Sequence, residues 1–161
     1  MFYDEYDSPI GTLRIIGKNS GELVRICLTD SLWESYRSHY EKPALHPSLF
    51  QPLKKQLDEY FQGDRNSFSV QMNLTGTDFQ KEVWNEVHAI PYGETKSYAA
   101  IAERIYRPKA VRAVGNANRL NPIPILVPCH RVIGKNRSMT GYAGGVQMKQ
   151  ALLKLEGLIF E

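Results

Sequence analysis

The rhythm of apolar and polar residues changes near position 76. Ahead of it, short apolar-rich runs at 2–6, 13–16 and 23–28 are separated by Ser8-Pro9-Ile10-Gly11 and Lys18-Asn19-Ser20-Gly21. That pattern predicts three strands joined by tight turns. Leu49, Leu53, Leu57 and Tyr60 recur at helical spacing with Gly63 beyond them, which predicts a helix over 48–61. Phe68, Val70 and Met72 alternate with polar residues, which predicts one more short strand. Cys27 lies in the third strand and reads as a buried structural thiol. Cys27, His39 and His46 lack a fourth ligand and close pairing, so they do not read as a zinc site.

Beyond position 76 the period becomes helical. Thr77-x-x-Gln80 is a capping box opening a helix to about 87, closed by Pro91-Tyr92-Gly93. Thr95 or Ser97 starts a second helix with Tyr98, Ile101, Ala102 and Ile105 in period. After a break at Tyr106-Arg107, Pro108 is placed as the first residue of a third helix running to about 118. Two short helices around a tight turn resemble a helix-turn-helix, a pattern that many ordinary αα corners share. On the third helix Ala110, Ala113, Val114 and Ala117 share one face, while Arg112, Asn116 and Arg119 lie opposite with Gly115 beside them. A last helix runs from about 146 to Glu156, before Gly157. The expected fold is α/β in two domains. Residues 1–75 form a small α/β domain, a short antiparallel sheet plus a helix. Residues 76–161 form a mostly helical, winged helix-turn-helix-like domain.

Charge sharpens the division. Residues 1–76 carry a net charge of −2 and residues 77–161 a net charge of +5. From Arg104 to Leu155, 52 residues contain ten Lys and Arg and no Asp or Glu. A field of this kind attracts polyanions, although a solvated basic face has the same composition. Two cysteines at 27 and 129 do not make a disulfide framework, and no apolar stretch is long enough to span a bilayer. No secretory segment precedes Met1-Phe2-Tyr3, so the expectation is a soluble cytoplasmic protein whose thiols stay reduced.

Cys129 stands inside that basic stretch, in Val127-Pro128-Cys129-His130-Arg131-Val132. A thiol needs a base, an orienting group and a pocket to act as a nucleophile. His130 is the nearest base and Glu156 can orient it, in the logic of a Cys-His-Glu relay. Side chains of adjacent strand residues point apart, so the pair needs a local turn or a bridging water. On chemistry alone an inert buried cysteine in a hairpin is the favoured reading.

Longer motifs resolve the alternative. Tyr92-Gly93-Glu94 with Ser97-Tyr98, the run 108–118, Asn121-Pro122 with 127–132, and Thr140-Gly141-Tyr142-Ala143-Gly144-Gly145 together resemble the O6-alkylguanine-DNA alkyltransferases. The resemblance spans about 76–157, and residues 1–75 fit it only in general layout. It implies a repair protein that flips O6-alkylguanine out of double-stranded DNA and moves the alkyl group irreversibly onto its own Cys129. His130, through a water, deprotonates Cys129, Glu156 holds His130, and Asn121 braces the turn. Tyr98 hydrogen-bonds guanine N3. Carbonyls of Cys129 and Val132 accept from the guanine amino group, Ala143 N–H reaches O6, and Tyr142 walls a pocket whose mouth is at Gly144. Arg112 replaces the extruded base, while Ala110, Ala113, Gly115, Asn116 and Arg119 line the helix entering the minor groove. The sequence carries no nucleotide-cofactor signature and no match to the zinc ligands of some relatives, so no cofactor and no metal are expected; a single recognition helix makes a monomer the default, and no membrane partner is expected. O4-alkylthymine remains open as a second substrate.

Three positions depart from the family's pattern. Tyr106 stands where members often have glycine, Ala143 where some have serine, and Met148 replaces a basic residue. The alternative is a non-enzymatic lesion-binding cousin, in which another residue takes the cysteine position. Cys129 argues against it.

Overall fold

The computed structural model describes residues 1–40, 42–139 and 141–159, so Thr140, the first residue of the last motif above, lies outside the described residues. The chain divides into two compact units, Met1–Leu74 and Thr75–Glu161.

In the first unit β1 (Phe2–Ser8) and β2 (Gly11–Gly17) form an antiparallel hairpin, and β3 (Leu23–Cys27) adds to β2. The sheet is not purely antiparallel, because β4 (Ala44–Leu45) joins the other edge parallel to β1. Register explains why β2 loses its alternation. Leu13 and Ile15 lie opposite Tyr6 and Asp4, which reach α2 (Gln51–Phe61) through Tyr6 Oη–Asp58 Oδ1 at 2.6 Å and the Asp4–Lys54 ion pair. Ile16 points the other way, into a cluster with Cys27, Trp33 and Tyr36. A strand covered on both faces reads as a continuous apolar run.

Trp33 and Tyr36 belong to α1 (Asp30–His39), a helix that the pattern did not predict. Its N-cap is Thr29, whose side chain accepts from Leu32 N–H. The expected helix over 48–61 begins later, at Gln51, with Pro52 in its first turn. The expected strand around Phe68–Met72 contracts to a single parallel bridge between Met72 and Leu23, with bonds from Leu23 N to Gln71 O and from Asn73 N to Leu23 O. The stretch is extended, but its ladder goes no further.

The second unit is built around α3 (Asp78–His88), α4 (Tyr98–Arg104) and α5 (Val111–Arg119). The capping box at Thr77 and Gln80 makes both of its bonds, at 3.1 and 2.9 Å. Trp84 Nε1 donates to Ala117 O at 2.8 Å and fixes α3 against α5. α4 and α5 make the expected helix-turn-helix, but α5 starts at Val111 with Ala110 as its N-cap, so Pro108 belongs to the turn. Its faces also differ from the expected ones. Val114, Ala117 and Asn118 are buried, while Ala113 is exposed beside Arg112, Asn116 and Arg119. A two-residue parallel pair, β5 (Lys96–Ser97) with β6 (Val132–Ile133), brings the start of α4 beside the chain leaving Cys129. α6 (Val146–Leu155) completes the unit.

Candidate active site and DNA-facing helix

Cys129 opens a one-turn 3₁₀ helix, Cys129–Arg131, rather than lying on a strand. With three residues per turn, neighbouring side chains diverge by a third of a turn instead of pointing to opposite faces. The backbone before it is braced by Asn121. Its Nδ2 donates to Val127 O at 2.8 Å and its Oδ1 accepts from Ile123 N at 3.0 Å. Between these bonds Ile125 is held in the left-handed region, φ 75°, while buried. A β-branched residue adopts that conformation only where its surroundings enforce it.

His130 is fully buried, and its Nε2 lies 2.6 Å from Glu156 Oε2. The carboxylate accepts Nε2–H, which assigns the tautomer and leaves Nδ1 as the basic nitrogen. Nδ1 makes no hydrogen bond among the described residues. Burial holds His130 below the usual imidazole range despite the carboxylate, so the ring is neutral at neutral pH and able to take a proton. Glu156 is kept in place from two sides. It is the C-cap of α6, where the chain turns at Gly157 in the left-handed region. Arg131 also grips both of its oxygens, with Nε to Oε1 at 2.7 Å and Nη2 to Oε2 at 3.1 Å. Arg131 Nη1 donates further to Ile90 O at 2.7 Å, and its guanidinium lies 5.7 Å from the Tyr92 ring centre.

The thiol lies in a basic stretch but is only 3% exposed, and burial pushes its pKa up to about 11. The Asn121 side chain and the Lys149 charge offset only part of that desolvation. The resting group is therefore a thiol, and its proton must be removed as reaction proceeds. Cys27 is likewise pushed up to about 11 by burial. Alkylation by iodoacetamide should therefore be slow at both cysteines of the native protein at neutral pH and accelerate toward pH 11. The unfolded chain should instead label in the ordinary thiol range near ~8.5. Fast neutral-pH labelling of native Cys129 would contradict this picture.

Tyr98 is the first residue of α4, capped by Ser97 Oγ accepting from Ala100 N at 3.0 Å. Burial and Cys129 raise its pKa against a hydrogen bond from Asn118, so its phenol stays protonated. A Cβ added to Gly141 (φ 85°) would meet Tyr98 Oη at 2.8 Å, so that glycine makes room for the hydroxyl. A Cβ on Gly115 would meet the Tyr98 ring at 3.7 Å, which places Gly115 against this ring. Tyr142 is buried, Ala143 exposed and Gly144 half-buried.

Three site residues were missed. Asn118 donates to Cys129 O at 3.2 Å, a carbonyl that also accepts from Val132 N. Arg131 is the second partner of Glu156. Lys149, fully buried, donates from Nζ to Val132 O at 2.5 Å and lies 5.9 Å from the Tyr98 ring centre; burial pushes it down to about 8. The Cys129 and Val132 carbonyls, both expected to accept, are thus each already in use. The signal for Lys149 was present, since Lys149, Leu152, Leu153 and Glu156 fall at i, i+3, i+4 and i+7 on one buried face.

On the exposed face of α5, Arg119 Nη2 donates to Asn116 Oδ1 at 2.9 Å. The Arg112 and Lys109 side chains make no hydrogen bond or ion pair with any described residue.

A buried thiol next in sequence to a neutral imidazole held by a carboxylate thus lies within a helix-turn-helix unit. Comparison with known proteins specifies its family. Residues 1–74 match the 6-O-methylguanine DNA methyltransferase ribonuclease-like domain, and residues 78–158 match the DNA binding domain of the same proteins. A methylated-DNA–protein-cysteine methyltransferase of Mycobacterium tuberculosis is 47% identical over 156 residues, covering 97% of this chain and 92% of its own. The constitutive enzyme of Bacillus subtilis is 42% identical over 167 residues, with coverage of 99% and 98%. The crystal structure of Mycobacterium tuberculosis OGT in complex with DNA superposes with a TM-score of 0.88 at 45% identity, covering 97% of this chain and 92% of that one. The chain belongs to the 6-O-methylguanine DNA methyltransferase family. Its reaction is DNA repair by transfer of an alkyl group from methylated DNA to a protein cysteine. No helix among the described residues is long and apolar enough to cross a membrane.

Proposed function

We propose that Cys129 is the alkyl acceptor, activated by His130 and Glu156, on an O6-alkylguanine turned out of duplex DNA. The observation that carries this reading is the His130 Nε2–Glu156 Oε2 bond at 2.6 Å, which leaves Nδ1 as the basic atom of a residue adjacent to the thiol. The thiol proton passes to Nδ1 through a water as sulfur attacks the alkyl carbon. The S–C bond forms while the C–O6 bond breaks, and Tyr98 donates toward N3 to offset charge on the departing purine. A thioether is not readily hydrolysed, so each molecule acts once. Asn121 and Asn118 position the turn, Val132, Tyr142, Ala143 and Gly144 border the base, and no cofactor or metal takes part.

A stacked guanine offers no in-line approach in a desolvated pocket, so the nucleotide has to leave the helix at a cost of about a few kcal/mol. The exposed face of α5 supports a minor-groove approach, with small Ala113 beside unpaired Arg112. Arg112 fills the vacated stack, and Ala110, Gly115, Asn116 and Arg119 complete the contact. We take the protein to act as a monomer through this one helix, and the need for reduced thiols supports the cytoplasm.

Arg112→Ala tests this docking. At saturating DNA its transfer from duplex should be slowed about 10- to 100-fold, as expected if about 1.4–3 kcal/mol of flipping assistance is lost. Transfer from a free O6-alkylguanine base should be unchanged. Equal transfer from saturating duplex by parent and variant would make Arg112 an ordinary phosphate contact.

A further inference from the structure

α4 ends in a turn that ordinarily requires glycine. Arg107 N donates to Ala102 O at 2.9 Å and Tyr106 N to Glu103 O at 3.0 Å, the paired bonds of a Schellman motif. The residue in its left-handed position is Tyr106, φ 61°. Only glycine, and less often asparagine, takes that conformation without steric cost. No side-chain contact among the described residues offsets that cost. The Tyr106 side chain is 92% exposed and makes no ring contact or hydrogen bond with any described residue. An aromatic ring is therefore held out into solvent by a strained backbone.

Its surroundings say what it meets. From Tyr106 to Ala113 every residue is exposed except half-buried Ala110, so the ring lies on one continuous exposed run with the start of α5. The turn is anchored to α3 by Arg107–Glu82 at 2.8 Å and Arg104–Glu86 at 3.3 Å, and the Arg107 guanidinium lies 5.4 Å from the Phe79 ring centre. These two cations are neutralised in place. Lys109 and Arg112 are not, so the positive charge available to a partner flanks the ring on the α5 side. An exposed aromatic ring continuous with two unpaired cations fits the sugar edge of a polyanionic duplex.

We propose that Tyr106 is a DNA-contacting wedge, packing its ring against deoxyribose or a base face in the groove beside α5 and extending the contact made by Arg112. The proposal rests on the reading of α5 as the DNA-facing helix. Minor-groove proteins use apolar wedges in this way, and the contact is sequence-tolerant because sugars and base faces are common to all sequences.

The test compares Tyr106→Asn and Tyr106→Gly, which suit the left-handed backbone but lack the ring, with Tyr106→Phe, which keeps it. The measurements are melting temperature, transfer from free O6-alkylguanine base, and affinity for duplex DNA across a salt series. The glycine and asparagine variants should melt at or above the parent temperature and react normally with free base. Each should bind duplex about 5- to 150-fold more weakly, the loss expected for one ring contact. Their salt slope should match the parent, because the ring releases no counterion, whereas Lys109→Gln should lower the slope by about one. Tyr106→Phe should bind like the parent. Parental affinity in Tyr106→Asn would overturn the proposal. So would parent self-association, measured by sedimentation without DNA, that Tyr106→Asn abolishes, since it would assign the ring to a second copy. If Arg112→Ala and Lys109→Gln also leave duplex affinity untouched, the fault lies in the reading of α5 itself.

Discussion

Cys129→Ser binds alkylated duplex DNA but accepts no alkyl group. The substitution keeps a small side chain where the thiol is buried, and leaves the Asn121 brace, the His130–Glu156 pair and the exposed face of α5 in place. A serine hydroxyl is a far weaker nucleophile, and one imidazole base contributes only about 10²–10⁴-fold, too little to rescue it. Transfer should fall below detection, with a stability change within about 1–2 kcal/mol for the buried hydroxyl. Fluorescence anisotropy against an O6-methylguanine duplex, followed by protein mass, separates binding from transfer. Continued methylation of Cys129→Ser would move the acceptor elsewhere, with Cys27 the first place to look.

Glu156→Gln should damage both stability and chemistry. The carboxylate receives His130 Nε2 and two Arg131 nitrogens while almost fully buried. Removing its charge leaves the Arg131 guanidinium buried without its counter-ion, a loss of about 3–5 kcal/mol. It also removes the group that fixes the imidazole tautomer, and transfer should slow by about 10²–10⁴-fold. Glu156→Gln combined with Arg131→Met separates the effects. The apolar replacement should restore most of the stability, because a buried ion pair exchanged for packed hydrocarbon is often neutral. The rate should remain low. Full recovery of rate with stability would remove Glu156 from the mechanism and leave it a structural partner of Arg131.

Burial of His130 also gives stability an acid limit. The folded His130 pKa is depressed below 6.5 by burial, so the unfolded chain binds the extra proton first. This contribution is present in full above 6.5 and is lost as pH falls from there toward the folded value. Thermal melting between pH 7 and pH 5 should show the decline, and His130→Gln should flatten it. A parent curve flat over that range, or a decline unchanged in His130→Gln, would contradict it.

Local chemistry carried much of this fold into view before coordinates. Thr77 with Gln80 and Ser97 before Tyr98 cap α3 and α4 by short-range bonds that need no tertiary context. Where tertiary packing decides, the pattern was less informative. α1 shows only Trp33 and Tyr36 buried along ten residues, too sparse a stripe to announce a helix. Pro108 suits a helix start, but the Schellman turn at Tyr106 and Arg107 delays α5 to Val111. The basic stretch does not make Cys129 acidic, because several of its charges are spent locally: Arg131 on Glu156, Arg107 on Glu82, Arg104 on Glu86. Burial then sets the thiol's direction. Arg131 and Lys149 were overlooked because charged residues are seldom buried unless paired, and the sequence alone shows no pairing.

The central claim is that Cys129 is the single-use acceptor. Parent protein incubated with excess O6-methylguanine duplex, then digested and mapped by mass spectrometry, tests it directly. The account predicts one CH₂ of added mass per molecule, located on Cys129, with guanine restored in the DNA and no further turnover. Methylation confined to Cys27, or repeated repair by one molecule without modification, would contradict it.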